Sequence, residues 1–375
     1  EVFFEAIAVV VGAIVGAGVL AIPYAVAQVG IGIGLLYIIG LGVVMLALHI
    51  LLGEIVARTK GTLQLPGLAR KYLGRGGEII MSGIFFFSIY SALLAYMIGQ
   101  GEVLAALFGG APFWWSIIFF AVGALVLYRG LRTVKVIELV MTLVVAFVVI
   151  LLAAWAAPDI ALSHLVTSGD WTQMFLPYGV ILFAYYGASA VVVAHTIVGK
   201  NQTMYKRVLV IASVIPIILY TLFTVVVVGV TGSATTEVAT VGLGQVLGPA
   251  VLIFGNVFAF AAMAPSFLAL GTALRETYEW DFKWNPMAAW AATIAVPLVV
   301  FLLGVRSFIQ VIGFTGSLFL SVETVLFVLM YWRARRLGDV PAQRLHLRAA
   351  PLVSAVLLIV FAIASIYSMW EFFAR

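Results

Sequence analysis

Long apolar segments that carry almost no charge limit what this chain can fold into more than any other feature. A helix needs about 20 apolar residues, at 1.5 Å each, to cross the hydrocarbon core of a bilayer. Segments of that length follow one another along all 375 residues, of which 65% are hydrophobic and 9% charged. A soluble domain carries about 25% charged residues to face water. The sequence therefore predicts an all-α integral membrane protein.

Measured against that length, the chain contains eleven predicted spans. They are Phe3–Ala27, Gly32–Ala57, Glu78–Phe108, Pro112–Tyr128, Thr133–Ala157, Met174–Val198, Met204–Val230, Pro249–Tyr278, Trp284–Leu303, Val305–Trp332 and Ala349–Phe373. The first has no basic flank before it and no cleavage pattern of small residues after it, which favours a mature transmembrane helix over a signal peptide.

Basic residues alternate with the spans and predict the orientation. With the N-terminus in the cytoplasm, 18 of the 20 lysines and arginines fall in inner loops, and only Arg306 and Arg375 lie outside. Inner loops of membrane proteins carry this excess of positive charge. We therefore expect a multi-pass plasma-membrane protein with a cytoplasmic N-terminus and an extracellular C-terminus. Its short loops favour a prokaryotic source.

Several classes of function are disfavoured by what the sequence lacks. There is no cysteine, and the four histidines are scattered, so neither a metal site nor an enzymatic cluster is predicted. No phosphate-binding glycine loop with a following lysine points to ATP. No filter motif points to a channel. The basic residues sit in short loops, which does not suggest nucleic acid. We expect no enzyme activity, no cofactor and no obligate protein partner, with the lipid bilayer as the surroundings.

Two spans contain glycines where a lipid-facing helix does not need them. The first has Gly16 and Gly18 near its middle, and the sixth has Gly187 after three aromatic residues. Backbone groups freed by a break in a membrane helix persist only where they line a polar cavity. Half-helix N-termini favour a carboxylate and freed carbonyls favour an ammonium or a cation. An amino acid carries both groups on one carbon.

The spans repeat with an offset of 171 residues, which carries Gly16 onto Gly187 and the starts of four further spans onto one another. Because the repeating unit has five spans, the second copy enters the membrane from the opposite side. This predicts a 5+5 inverted repeat within a single transport domain, the arrangement of alternating-access transporters. Residues 1–157 form the first repeat, residues 174–332 the second, and residues 349–373 an additional eleventh helix.

The segment from Ala13 to Leu20, followed by Pro23-Tyr24-Ala25 and Gly30, resembles the first helix of the amino acid/auxin permease family. The segment from Phe183 to Gly187 is similar to the family's broken sixth helix, and Ser266 to Gly271 is similar to its eighth. The resemblance covers nearly the whole chain. It implies a LeuT-type fold and amino acid transport.

The same resemblance implies where the substrate binds. Its backbone would meet the two broken stretches, and its side chain would project between the third, sixth, eighth and tenth helices, where Tyr90 or Tyr96 could supply a hydroxyl. The implied substrate-binding residues are Val15, Gly16, Ala17, Gly18, Val19, Tyr90, Phe183, Ala184, Tyr185, Tyr186, Gly187 and Ser266.

The coupling ion is expected to be a proton, with sodium as the alternative. Sodium-coupled relatives use an asparagine in the first helix and a hydroxyl in the eighth, where this chain has Gly12 and Ser266, a weak sodium site. Ionisable groups inside the hydrocarbon are candidate proton carriers. Glu323 is the deepest acid, ten residues before Arg333. We interpret His49 and His195 as lying towards the cytoplasmic ends of their spans.

The sequence thus favours a secondary active transporter that works by alternating access, as a proton-coupled symporter of neutral or aromatic amino acids. A sodium-coupled amino acid symporter remains open. So does a LeuT-type transporter of another small amine or a nucleobase.

Overall fold

A computed structural model of the chain is built from helices joined by short loops. It describes residues 2–61, 63–129, 144, 147–166, 169–280, 282–341 and 350–374. The helices are α1 Val2–Ile14, α2 Gly18–Val29, α3 Ile31–Ala57, α4 Leu65–Phe108, α5 Pro112–Arg129, α6 Phe147–Asp159, α7 Leu176–Ala184, α8 Ala188–Val198, α9 Gln202–Thr231, α10 Ala239–Leu247, α11 Pro249–Trp280, α12 Pro286–Leu302, α13 Phe308–Leu337 and α14 Ala350–Ala374.

Within the described residues, seven segments are long and apolar enough to cross a membrane, or eight if α1 and α2 are counted as one bent span. Shorter apolar helices occur at the positions predicted for the fifth, ninth and eleventh spans. Much of the fifth predicted span, residues 130–143 and 145–146, lies outside the described residues. The count of eleven and the inverted repeat stay predictions.

Water-facing helix ends are closed by side chains that the sequence places there. Asn201 accepts a hydrogen bond from the amide of Met204, Asn285 from the amide of Ala288, and Ser307 from the amide of Gln310. Each satisfies one of the donors that a helix N-terminus leaves unpaired. These caps fix where α9, α12 and α13 begin.

The third predicted span corresponds to the second part of α4. The helix changes direction at Gly74, whose φ of 78° is in the left-handed region that glycine adopts without strain. The segment before Gly74 is therefore a surface helix. The part after it is the membrane segment, as expected from Glu78 onward.

The bent pair α1–α2 and the interrupted pair α7–α8 lie side by side at the centre of the molecule. α3 and α9 pack against both pairs, and α13 covers α3, α4 and α7. α4 packs against α5 and α11 beside this centre. The arrangement encloses both interruptions within protein, away from lipid.

Loops at the end predicted to be cytoplasmic are joined by Asp339, which follows α13. Its carboxylate accepts from the Lys60 amide and pairs with Lys71, while its own amide donates to the Arg58 carbonyl. The hydrogen bond from Lys71 and that from the Lys60 amide hold the Asp339 pKa below its usual value of 3.8. At the other end, Glu237 accepts from the hydroxyl of Ser307 and from the amide of Ile309.

Candidate substrate and ion site

Each of the two central helix pairs is interrupted for three residues. α1 ends at Ile14 and α2 begins at Gly18, with a bend of 49° between them. α7 ends at Ala184 and α8 begins at Ala188. Ala184 is 170 residues after Ile14, and Ala188 is 170 after Gly18, one fewer than the predicted offset. We refer to residues 15–17 as the first break and residues 185–187 as the second break.

The two breaks lie against each other because glycines remove the side chains that would separate them. A Cβ on Gly18 would stand 2.6 Å from the Cα of Ala184, and one on Gly187 would stand 2.6 Å from Ile14 Cγ1. Real Cβ atoms do not approach this closely. Each second half-helix therefore starts where the first half of the other pair ends, and the four helix termini share one small volume.

A single tyrosine joins the C-terminal ends of the two first halves. The hydroxyl of Tyr220, on α9, lies 2.7 Å from the carbonyl of Ile14 and 2.9 Å from the carbonyl of Ala184. Its one proton is shared between two carbonyls that a helix end would otherwise leave unpaired. Tyr96 of α4 lies close enough to interact electrostatically with Tyr220.

The N-terminal ends of the two second halves are left without such a partner. The N-cap residues are Ala17 for α2 and Gly187 for α8, and neither has a side chain that can cap its helix. The amide of Val19 reaches only the carbonyl of Gly16, at 3.4 Å, longer than the usual 2.9 Å or so. Helix N-termini carry partial positive charge and unpaired N–H donors, which suits a carboxylate.

Open space borders the first break at Gly16. This residue is partly exposed, and a Cβ on it would meet no atom within 4 Å. Its neighbours Val15, Ala17 and Val19 are buried. The backbone of the first break therefore faces a gap on one side and the second break on the other.

The second break carries the polar side chains. The hydroxyl of Tyr185 donates to the carbonyl of Ile38, at 3.1 Å, and that of Tyr186 donates to Glu323 Oε1, at 3.0 Å. Glu323 is only 2% exposed. A small cavity of about 10 Å³ beside the break is lined by Tyr186, Glu323 and His49 among mostly apolar residues.

Glu323 follows an irregular stretch of α13. Residues Thr315–Leu320 form a π-helical turn, a local widening that often marks functional positions. A Cβ on Gly316 would stand 1.8 Å from the carbonyl oxygen of Gly179, so α7 and α13 cross in direct backbone contact. The hydroxyls of Tyr178 and Ser321 are 2.9 Å apart and extend this contact towards Glu323.

Tyr90 and Ser266, both chosen from the sequence, bond to groups outside the two breaks. The hydroxyl of Tyr90 bonds to Tyr278 and to the carbonyl of Ala292, and it faces α11 and α12. Tyr96 is the tyrosine of α4 that lies beside Tyr220. Ser266 donates to the carbonyl of Ala262 within its own helix, and Gly12 brings no side-chain oxygen. Within the described chain no group of three His, Asp or Glu side chains could hold a metal.

Sequence reasoning missed Tyr220 and did not place His49 at the second break. His49 is 2% exposed and lines the cavity beside that break, while its position towards the cytoplasmic end of its span stays a prediction. Its partner Ser213 is 164 residues away in the chain, a pairing that no local pattern reveals. Gly313 and Gly316 are small residues of the kind that let membrane helices cross closely, and they could have indicated the contact with α7.

A second, larger cavity is separate from the breaks. It has a volume of about 640 Å³ and lies between α4, α7, α12 and α13, with Phe87, Tyr90 and Phe175 on its walls. Phe87 and Phe175 are exposed on the outer surface. The breaks, rather than this cavity, bring together the backbone donors and the buried carboxylate.

Comparison with known proteins finds one matching family model and two similar transporters. The model of the tryptophan/tyrosine permease family matches residues 1–370. Glutamine transporter 2 of Aliivibrio fischeri is 26% identical over 358 residues, covering 90% of this chain and 91% of that protein. Tyrosine-specific transport system 1 of Haemophilus influenzae is 25% identical over 358 residues, covering 87% of each.

Among solved structures, MhsT in complex with L-phenylalanine superposes with a TM-score of 0.62 over 98% of both chains, at 16% identity. This likeness shows the fold, which is of the LeuT type. The chain is therefore a multi-pass membrane transporter and not an enzyme.

Proposed function

The chain belongs to the tryptophan/tyrosine permease family, and we propose that it carries neutral amino acids, aromatic ones among them, in symport with protons. The two relatives transport glutamine and tyrosine by name and are almost equally similar, so identity favours neither substrate. The wider relationship to amino acid/auxin permeases is part of this proposal, supported by the first-helix motif around Gly16 and Gly18.

The observation that carries the proposal is the unequal treatment of the four helix ends at the breaks. The carbonyl ends at Ile14 and Ala184 are joined by Tyr220, whereas the amide ends at Gly18 and Ala188 have no side-chain cap. A substrate carboxylate supplies the acceptor that these amides lack. The ammonium of the same molecule then faces carbonyl groups of the first break, beside the open space at Gly16.

A proton fits the ion site better than sodium does. Sodium prefers several oxygen ligands, as hard cations do. At the two positions where sodium-coupled relatives hold the ion, this chain has Gly12 and a serine, Ser266, whose hydroxyl is bonded within its own helix. Glu323 is instead buried and bonded to Tyr186 of the second break, so a change in its charge acts directly on the broken helix.

The proposal includes alternating access by the two repeats, residues 1–157 and 174–332, with the N-terminus in the cytoplasm. Its support is the excess of Lys and Arg in loops on one side. Two of these lysines, Lys60 and Lys71, are held close together by their contacts with Asp339. Membrane proteins retain such positive loops in the cytoplasm.

The test is uptake of labelled tyrosine, glutamine and phenylalanine into liposomes that contain the purified protein, with an inward proton gradient and no sodium. We expect accumulation above equilibrium that a protonophore abolishes. In the variant Glu323→Gln, we expect exchange of internal for external amino acid to continue while proton-driven accumulation and its pH dependence are lost.

Concentrative uptake that occurs only after sodium is added would overturn proton coupling. Transport of none of the three amino acids, with uptake of amines or nucleobases instead, would overturn the substrate class. A Glu323→Gln variant with the pH dependence of the unmodified protein would remove Glu323 from the coupling mechanism.

A further inference from the structure

The small cavity at the second break contains a second group that can hold a proton. His49, on α3, lines the same cavity as Tyr186 and Glu323. Its side chain is 2% exposed, so it is shielded from both water and lipid. A basic group enclosed together with a carboxylate inside a membrane is unusual, because such groups are costly to bury without a role.

The orientation of the imidazole ring leaves one nitrogen available. Nδ1 of His49 lies 3.0 Å from the hydroxyl of Ser213 on α9. Nε2 finds no hydrogen-bond partner among the described residues, and it would stand 3.7 Å from a Cβ on Gly187. With a hydrogen on Nδ1 donated to Ser213, the lone pair of Nε2 points towards the second break.

The cavity of about 10 Å³ has room for about one water molecule. A buried water needs a cavity of about 10–15 Å³ and two to four polar partners. His49, Tyr186 and Glu323, which line the cavity, can supply those partners, and Nε2 of His49 is buried without another one among the described residues. A water in this place would connect the imidazole with the carboxylate.

Other titratable groups on the surrounding helices point elsewhere. α1 carries only Glu5, in its first turn. On α3, Glu54 is paired with Arg58. From α9 the facing group is the Ser213 hydroxyl, while Tyr205 donates to the carbonyl of Val191. From α13 the facing group is Glu323, and from α7–α8 it is Tyr186. Among the described residues that line the cavity, none is a lysine or an arginine.

We propose that His49 is the second proton-binding group of the transporter and exchanges one proton with Glu323 through a water in this cavity. In the exchange, the O–H bond of the protonated Glu323 breaks, its proton passes to the water, and another proton of that water forms an N–H bond at Nε2. The carboxylate and the imidazolium that result carry opposite charges and line the same cavity beside the second break. An imidazole nitrogen is a good proton acceptor and a poor ligand for sodium, which favours a proton over a metal cation here.

This inference rests on the proposed proton symport and adds a residue to it. The experiment uses the liposomes described above with the variant His49→Gln, and His195→Gln as the matched control. His195 is a partly exposed residue of α8 whose ring packs against Tyr205. We expect His49→Gln to keep amino acid exchange within about twofold, to lose about tenfold in proton-driven accumulation, and to lose the pH dependence of uptake. His195→Gln should match the unmodified protein.

A His49→Gln variant that accumulates substrate with the pH profile of the unmodified protein would overturn the inference while leaving proton symport intact. If the unmodified protein itself shows no proton-driven uptake, the proposed function fails instead. Loss of exchange in His49→Gln would indicate a purely structural role and would equally contradict the inference.

A second variant tests the same inference without removing the imidazole. Ser213→Ala deletes the acceptor of the Nδ1 hydrogen, an interaction that is stronger for the charged ring than for the neutral one. We expect the midpoint of the pH profile to move about 0.5 unit towards lower pH, the equivalent of a modest hydrogen bond. An unchanged midpoint would contradict proton binding at His49.

Discussion

The first break and the second break have the same length and touch each other, yet their side chains differ in kind. The first consists of Val15, Gly16 and Ala17, which offer only backbone groups and, at Gly16, open space. The second consists of Tyr185, Tyr186 and Gly187, and both tyrosine hydroxyls are engaged, one of them with the buried Glu323.

In the proposed proton symport, this difference separates substrate binding from proton binding. Backbone amides and carbonyls do not titrate, so the first break can hold an amino acid with little dependence on pH. The second break is bonded to a carboxylate and borders an imidazole, so its geometry depends on where protons are. Because Gly18 lies against Ala184 and Gly187 lies against Ile14, a change at one break displaces the other.

The largest effect is expected from the contact between the breaks. Gly18→Ala places a Cβ 2.6 Å from the backbone of Ala184, whereas Gly16→Ala places one in open space. We expect Gly18→Ala to lower the free energy of unfolding by about 1–3 kcal/mol, as overpacking does, and to abolish uptake. Gly16→Ala should change stability by less than about 0.5 kcal/mol and raise the KM for the amino acid about tenfold, or 1.4 kcal/mol.

For Gly18→Ala and Gly16→Ala, thermal unfolding in detergent measures the stability and initial rates of uptake into liposomes measure the KM. Equal loss of stability in the two variants would show that the breaks do not meet as closely as described. An unchanged KM in Gly16→Ala would remove the open side of the first break from the substrate site.

The hydroxyl of Tyr220 bonds to a carbonyl beside each break, and we expect its removal to have the second-largest effect. Tyr220→Phe leaves the carbonyls of Ile14 and Ala184 without their shared donor, at a cost of about 1–3 kcal/mol for buried polar groups. We expect lower thermal stability together with reduced uptake. Tyr205→Phe is the control, because that buried hydroxyl bonds to one carbonyl, that of Val191, inside α8. Equal losses of stability and uptake in the two variants would show that the hydrogen bonds from Tyr220 to both breaks matter no more than an ordinary buried hydrogen bond.

A smaller effect, confined to the second break, is expected from Tyr186→Phe. The carboxylate of Glu323 loses a donor that stabilises its charged form, so we expect the pH profile of uptake to move about 0.5–1 unit towards higher pH. The KM should change less than threefold or so, the reverse of the pattern for Gly16→Ala. A profile that stays in place, with a raised KM, would reverse the roles assigned to the two breaks.

The smallest effect is expected at Asp339, which is remote from both breaks and sets the baseline for the comparison. Its pKa is lowered by Lys71 and by the amide of Lys60, so its contribution to stability is present at neutral pH and is lost as the pH falls below about 3.8. Asp339→Asn should lower the unfolding temperature slightly at pH 7 and leave uptake unchanged. The difference in unfolding temperature between the variant and the unmodified protein should shrink as the pH falls below about 3.8, and a difference that stays constant there would contradict this assignment.

Much of the fold and part of the site could be predicted because membranes impose simple rules. Most of the described helices begin and end within a few residues of the predicted spans, but α4 begins earlier, at Leu65, and α10 lies between two predicted spans. The breaks were indicated by glycines that a lipid-facing helix does not require. The depth of Glu323 followed from its distance to Arg333.

The sequence by itself determined the class of protein, the positions of its helices and the two places where they break, because lipid allows an unpaired backbone only where protein encloses it. Tertiary structure alone decided which groups meet at those breaks. Tyr220 reaches two carbonyls that are 170 residues apart in the chain, and His49 faces the cavity of Glu323 although it lies eight residues before the end of α3. The sequence of one helix indicates how deep each polar residue lies in the membrane, but not which residue of another helix it contacts. The partner is set by how helices cross, and here the crossings depend on glycines that allow backbones to touch.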